Sequence, residues 1–228
     1  MAEQPFGGAG KVGESILAGP EKRLVAALVP RVPRWIETYH LTLLTLLWSA
    51  FVVLFGWLAR ENLNWLWGSS VMIAAQYLTD LLDGAVGRRR NTGLVKWGFF
   101  MDHFLDYIFL CSLILAYYIV APPGYDVWFI AILGLTAGQM VHSFLAFAAT
   151  NEFRIAFAGV GPTEARIAFI IINTIVIFTW PHYYDITIPL VTLCCAAGLL
   201  FVVYRTHRRL WQIDMENKGR QEGKAASL

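Results

Sequence analysis

The sequence predicts an all-α integral membrane protein with six transmembrane helices, preceded by an amphipathic helix in the membrane interface. Three observations lead to this fold class: the composition, the apolar segments and the placement of the basic residues. The chain of 228 residues is 57% hydrophobic and only 15% charged. An ordinary soluble domain has about 25% charged residues, so the composition favours a chain that lies largely within a bilayer.

Six segments are apolar enough to cross a membrane, which requires about 20 mostly apolar residues. They cover residues 41–59, 66–87, 98–120, 127–150, 164–181 and 186–204. Several are separated by short polar or Pro/Gly-containing stretches such as ARENLN and APPGYD, which are typical of loops. The first 20 residues lack the apolar central stretch of a cleavable signal peptide.

The basic residues predict the orientation of these spans. With six crossings, both termini and the loop after the second span lie on one side. All of the 18 Lys and Arg except Arg60 then fall on that side. Because cytoplasmic loops of membrane proteins are enriched in Lys and Arg, we expect both termini and this loop to be cytoplasmic.

The predicted organisation has four parts. Pro20, Pro30 and Pro33 interrupt the second part, so it cannot form one regular helix. Its mixture of basic and apolar side chains is typical of a segment that lies on the membrane surface. The parts are a flexible cytoplasmic tail (1–13), an amphipathic interfacial segment (14–37), a six-helix transmembrane catalytic domain (38–210) and a cytoplasmic tail (211–228).

Four aspartates lie at the cytoplasmic ends of two successive spans. Residues three, four and seven apart share one face of a helix, and the spacing predicts that each pair lies on one face with small residues beside it. The short loop between the spans predicts antiparallel neighbours whose aspartate faces converge. The aspartates are Asp80 and Asp83 on the second span, followed by Gly84 and Gly87, and Asp102 and Asp106 on the third.

These carboxylates predict a metal site. One Asp within a span costs roughly 2.5–3.5 kcal/mol, so four must be protonated, face water or hold cations. Carboxylate oxygens suit hard ions, and four of them can bridge two ions about 3.5–4 Å apart. We therefore predict two divalent cations, Mg²⁺ or Mn²⁺. Gly84 and Gly87 would let a phosphate approach the backbone, and Arg88 could bind it in a fork.

Two other interpretations compete with the metal site of an enzyme. The aspartates could pair with arginines to stabilise a helix pair, or they could line the path of a divalent-cation transporter or channel. A path predicts carboxylates distributed across the membrane. All four aspartates instead lie near the cytoplasmic end, which favours the metal site.

The aspartate pattern resembles the signature of the CDP-alcohol phosphotransferases, D-x2-D-G-x2-A-R-x8–9-G-x3-D-x3-D. The Ala of the signature is replaced by Gly87, which keeps that position small. The six-span layout and the short amphipathic start are also similar to the family, so the resemblance covers nearly the whole chain. The chain reads Asp80-x2-Asp83-Gly84-x2-Gly87-Arg88-x9-Gly98-x3-Asp102-x3-Asp106.

The resemblance implies a phospholipid-synthesising transferase that moves a substituted phosphate group from a CDP-linked donor to an acceptor hydroxyl and releases CMP. It implies that Asp80, Asp83 and Asp102 bind one cation, that Asp80, Asp102 and Asp106 approach the second, and that Asp106 deprotonates the acceptor. It also implies that Gly84 and Arg88 hold the CDP portion, beside Gly87. Relatives often carry Ser or Thr where this chain has Val95, and that hydroxyl is a further contact to the donor. In this chain either Thr92 supplies the contact or the contact is absent.

Three further residues are candidates for contact with the acceptor. His103 follows the third aspartate and either lies behind the metal ligands or packs against neighbouring helices. Glu164 and Arg166 either line the acceptor pocket or have structural roles. In the second case Glu164 complements the helix dipole and Arg166 extends to the membrane interface.

The expected partners are a CDP-linked donor, an alcohol acceptor and membrane lipids. At least one substrate is a lipid. A CDP-diacylglycerol donor would transfer to a polar alcohol, whereas a CDP-choline or CDP-ethanolamine type of donor would transfer to a lipid alcohol. The Asp102-His103 pair favours the second. The small residues of GLTAG (134–138) allow close helix packing or a dimer face, and we expect a homodimer and no nucleic-acid partner.

Overall fold

The computed structural model describes residues 17–151, 161–180 and 182–225, and within these ranges the chain is helical with no strand. The predicted tail over residues 1–13 lies outside the described residues. Short 3₁₀ turns cover Val29–Arg31 and Leu63–Trp65. The helices are α1 (Ala18–Leu28), α2 (Thr38–Leu58), α3 (Leu66–Arg90), α4 (Val95–Val120), α5 (Asp126–Thr150), α6 (Pro162–Thr179) and α7 (Tyr183–Ala225).

Five helices in the described part of the chain are long and apolar enough to cross a membrane, namely α2, α4, α5, α6 and α7. They coincide with five of the six predicted spans and support a multi-pass membrane protein. The helix at the remaining predicted span, α3, has 25 residues. It carries two aspartates and ends in three consecutive arginines, and its most apolar stretch is less apolar than those of the other five.

Helices α2 and α4 pack side by side and run parallel. Val52 of α2 lies in one buried cluster with Phe109 and Leu113 of α4. Near the far ends of both helices, Gly56 faces Ala116, where a Cβ added to the glycine would lie 2.6 Å from the Cβ of Ala116. The missing side chain therefore allows the two helix backbones to approach closely.

Helix α3 runs antiparallel to α2 and to α6. Trp48 of α2 donates a hydrogen bond to Thr79 of α3 at 3.3 Å, whereas a Cβ on Gly68, near the start of α3, would meet Phe55, near the end of α2. On the other side, Asn173 of α6 donates to the Ser70 hydroxyl at 2.9 Å. These buried polar contacts fix the register of α3 between its neighbours.

Helices α5 and α7 form a second parallel pair. Gln139 of α5 donates to the Cys195 carbonyl of α7 at 3.3 Å, and a Cβ on Gly138 would lie 3.1 Å from the side chain of Leu199. Gly138 of the predicted small-residue pattern therefore packs within the chain. A Cβ added to Gly134 would instead meet open space.

Helix α7 extends well beyond the predicted span end at residue 204. The region from residue 211, which we predicted to be a cytoplasmic tail, is helical through Ala225. The physical reason is the abundance of Glu, Gln, Lys and Arg, which form helices readily even when exposed. Lys218 and Glu222 form an i,i+4 ion pair at 3.8 Å, which adds a small further stabilisation.

The segment before α2 is a short helix followed by a turn. Helix α1 ends at Leu28 and the 3₁₀ turn contains Pro30, so the predicted interruption is present at Pro30, whereas Pro20 lies within the first turn of α1. Arg90, at the end of α3, donates to the carbonyl groups of Val32 and Pro33 at 3.1 and 3.0 Å, and also to that of Ile36. These bonds attach the segment to the end of α3.

Candidate metal and substrate site

Three of the predicted aspartates converge between α3 and α4. One side-chain oxygen from each of Asp80, Asp83 and Asp102 lies within 4.8 Å of the other two. Among the described residues this is the group of acids that could hold a metal ion. Divalent cations bind carboxylate oxygens at about 2.0–2.6 Å, so three oxygens at this separation fit around one ion. The convergence that the helical spacing predicted is therefore present for three of the four aspartates.

Asp83 is held by a residue that the sequence analysis missed. The Thr42 hydroxyl of α2 donates to Asp83 Oδ2 at 2.8 Å, and the backbone N–H of Gly84 contacts the other oxygen. Both side chains are buried. A signal was present in the sequence, because Thr38, Thr42, Thr45 and Ser49 form a polar stripe at helical spacing within an apolar helix, and all four are buried.

The fourth aspartate has different partners. Asp106 Oδ1 accepts from the Gln76 amide at 3.1 Å and from Arg166 Nη2 at 3.2 Å. Gln76, which is 1% exposed, also accepts from Arg166 Nε at 2.7 Å. The sequence analysis did not select Gln76, although it lies four residues before Asp80 and therefore on the same face of α3.

Arg166 contacts two of the four aspartates directly. Its Nη2 lies 2.9 Å from Asp80 Oδ2 and 3.2 Å from Asp106 Oδ1, and its side chain is only 10% exposed. We considered that Arg166 extends to the interface or lines the acceptor pocket; the structure buries it among the aspartates. A guanidinium that contacts two carboxylates neutralises part of the charge that four acids would otherwise concentrate there.

Glu164 lies outside this cluster. Its carboxylate accepts from the backbone N–H of Gly161 at 2.8 Å, which satisfies one of the unpaired N–H groups at the start of α6. This is the helix-starting role that we considered as the alternative to acceptor binding. Pro162 is the first residue of α6, as the sequence indicated.

His103 faces aromatic side chains of its own helix and of α5. Its Nδ1 lies 2.7 Å from the Phe99 carbonyl, which can only accept, and 3.7 Å from Asp102 Oδ2. Its ring centroid lies 4.4 Å from that of Phe99 and 5.7 Å from that of Phe144. The geometry supports a packing role and also places the imidazole next to a metal-ligand candidate.

The predicted donor-binding residues form a small-residue surface at the end of α3. A Cβ on Gly84 would lie 3.2 Å from Arg88 Nη1, so the exposed guanidinium lies over this glycine. A Cβ on Gly87 would lie 3.2 Å from the hydroxyl of Thr38 and 3.5 Å from that of Thr92. The absence of side chains at the two glycines therefore allows one guanidinium and two hydroxyl groups to lie close to the backbone of α3.

Comparison with known proteins gives one match that covers most of the chain. A family model described as CDP-alcohol phosphatidyltransferase matches residues 40–204. The matched range includes all four aspartates, Arg88 and Arg166. No curated protein sequence matches the chain significantly.

Proposed function

Because this chain belongs to the CDP-alcohol phosphatidyltransferase family, we propose that it transfers a substituted phosphate group from a CDP-linked donor to an acceptor hydroxyl and releases CMP. Membership implies a transferase of phospholipid biosynthesis. The observation that carries the proposal is the convergence of Asp80, Asp83 and Asp102, whose oxygens lie within 4.8 Å of one another. Phosphoryl transfer depends on this kind of charge neutralisation.

Asp80, Asp83 and Asp102 would hold one divalent cation, and Asp80, Asp102 and Asp106 would hold the second, either Mg²⁺ or Mn²⁺. When bound, such ions neutralise the diphosphate of the donor and the CMP that leaves. Thr42 orients Asp83 for this role. Arg166 contacts two of the three carboxylates assigned to the second cation, so the guanidinium and that cation would share these two carboxylates.

The remaining residues divide between the two substrates. Arg88, Gly84, Gly87 and Thr92 would bind the CDP portion of the donor. Asp106 would accept the proton of the acceptor hydroxyl, whose oxygen attacks the β-phosphorus while the bond to the CMP oxygen breaks. General bases of this kind contribute about 10²–10⁴-fold to the rate. Gln76 and Arg166 keep Asp106 oriented toward the other aspartates.

We propose that α3 is the sixth span. The parallel orientation of α2 and α4 supports this, because the chain must return across the membrane between two parallel spans. Both termini and the aspartates then lie on one side, and the basic residues favour the cytoplasm. Helix α1 would lie in the cytoplasmic interface.

Two features of the substrates and the assembly also belong to the proposal. At least one substrate is a lipid, and Asp102-His103 favours a donor of the CDP-choline or CDP-ethanolamine type with a lipid alcohol as acceptor.

We also propose a homodimer. The side of α5 around Gly134, where an added Cβ would meet open space, is available for contact with a second copy.

The test is release of radiolabelled CMP by the purified full-length protein from a panel of CDP-alcohols and acceptors. We expect release that requires a divalent ion and is abolished by Asp80→Asn. Asp126→Asn, in the first turn of α5 and away from the aspartate cluster, is the matched control and should retain activity. Release that persists in excess EDTA or in Asp80→Asn would refute the metal-dependent mechanism. Uptake of Mn²⁺ into liposomes without any CDP-alcohol would instead support the transporter alternative.

A further inference from the structure

The N-terminal helix contacts two of the helices that form the site through one carboxylate. Glu21 of α1 accepts a hydrogen bond from the Tyr77 hydroxyl of α3 at 3.1 Å and another from the Thr163 hydroxyl of α6. The contacts span 56 and 142 residues of sequence. One side chain therefore joins three helices, which no local preference of the chain would produce.

Both partners of Glu21 are neighbours of the residues that hold Asp106. Tyr77 follows Gln76 directly on α3, and its ring centroid lies 5.9 Å from the guanidinium carbon of Arg166. A guanidinium at this distance from an aromatic face is attracted to it. Thr163 precedes Arg166 by three residues, so the two share one face of the first turn of α6.

We propose that Glu21 is a positioning residue that fixes Tyr77 and the first turn of α6, and thereby sets the position of Arg166 between Asp80 and Asp106. The proposal rests on the transferase function proposed above. Arg166 donates from Nε to Gln76 and from Nη2 to both aspartates, so a small rotation of the first turn of α6 would change all three distances.

The surroundings of Glu21 argue against a role in packing alone. None of the residues of α1, all of which are described, is buried. The apolar residues Val25 and Leu28 contact the nearby buried cluster only as partly buried side chains. Glu21 is also partly buried, and its carboxylate receives two hydroxyl donors. Hydrogen bonds to charged groups contribute more than neutral ones, so this contact is a specific attachment of α1 to the site.

The experiment measures CMP release and the melting temperature for a set of variants of the full-length protein. Glu21→Leu and Thr163→Val each remove one side of the contact, and we expect kcat to fall about tenfold with a smaller change in the KM of the CDP-donor. Thr163→Ser retains the hydroxyl and should restore most of the activity. The double variant should be no worse than Glu21→Leu alone, because both changes remove the same interaction. Arg23→Gln, an exposed change on the same helix, is the control.

The outcomes separate this inference from the proposed function. If the wild type releases CMP, Asp80→Asn does not, and Thr163→Val and Glu21→Leu both match the wild type, the transferase function stands and the positioning role is wrong. Equal loss in Thr163→Ser and Thr163→Val also overturns it, because the hydroxyl would then not matter. If Glu21→Leu lowers the melting temperature strongly, the Thr163 pair decides the question.

Discussion

The buried side-chain amide of Gln76 connects Asp106 with Arg166. Its nitrogen donates to Asp106 and its oxygen accepts from Arg166 Nε. An amide has one acceptor end and one donor end, so these two partners together determine its orientation. Asp106 therefore receives one neutral and one charged donor on the same oxygen, Oδ1. Oδ2 takes part in neither of these two hydrogen bonds, so we propose it as the atom that accepts the proton of the acceptor hydroxyl.

Replacing Asp106 by Asn should separate binding from chemistry. The amide keeps the size and one oxygen but removes the negative charge that accepts a proton. We expect the variant to bind the CDP-donor and to lose about 10²–10⁴-fold in CMP release, which donor-binding calorimetry and radiolabelled CMP release would measure in parallel. Turnover near the wild-type rate would show that Asp106 is not the base, and His103 would then be the next residue to test.

Arg88→Lys should weaken the hold on the donor. A guanidinium binds phosphate oxygens through two parallel N–H groups, and an ammonium group cannot reproduce that fork. We expect a rise in the KM of the CDP-donor that is clearly larger than the change in kcat. The neighbouring Arg89→Lys is the matched control, because Arg89 is exposed and lies outside the motif. Similar kinetics for the two variants would remove Arg88 from the donor site.

At the scale of helices, the approach of α2 to α4 depends on Gly56. A Cβ at this position would lie 2.6 Å from Ala116 Cβ and 2.7 Å from its Cα, so Gly56→Ala requires the backbones to separate. We expect a loss of about 1–3 kcal/mol in stability, measured as a lower melting temperature in detergent. The same substitution at Gly219, an exposed position of α7 where the added Cβ meets open space, should leave the melting temperature unchanged or slightly raised. Equal effects at the two glycines would contradict this account of the interface.

The sequence predicted contacts between residues that are close along the chain better than contacts between distant helices. Asp80 and Asp83 share a helix face because of the 3.6-residue period, and the short loop between spans brought Asp102 opposite to them; both were predicted. Thr42 and Arg166 contact the aspartates from helices that are distant in sequence. The polar stripe of α2 indicates which face of that helix is buried. No periodicity within α2 or α6 specifies which helix such a face contacts, so these partners required the tertiary structure.

Helix α7 continues past the end of the predicted apolar span for a different reason. The apolar segment ends near residue 204, and a prediction that follows hydrophobicity ends the span there. Helix formation in the polar region that follows depends on backbone propensity rather than on burial. Within a membrane, apolar segments are also helical. Where the chain leaves the membrane, a polar segment can remain helical, so hydrophobicity no longer indicates where the helix ends.

For the molecule as a whole, the direction of each helix predicts which side of the membrane the regions between and after the helices face. In a variant in which Cys111, Cys194 and Cys195 are replaced by Ser, single cysteines at Leu94 and Gly219 should react from the cytoplasmic side. A cysteine at Glu61 should react from the opposite side. Labelling of intact cells and of inverted vesicles with a membrane-impermeant maleimide would measure this. Reaction of the Leu94 and Glu61 positions from the same side would mean that α3 does not cross.

The separation of Arg166 from its carboxylate partners has a consequence for biosynthesis. Arg166 follows Asp106 by 60 residues and Gln76 by 90. At about 5–20 residues per second, the ribosome adds Arg166 about 3–12 s after Asp106. During that interval the nascent chain carries four carboxylates on α3 and α4 without the guanidinium that later contacts two of them. Protons or cations from the surroundings must balance this charge until α6 has been inserted.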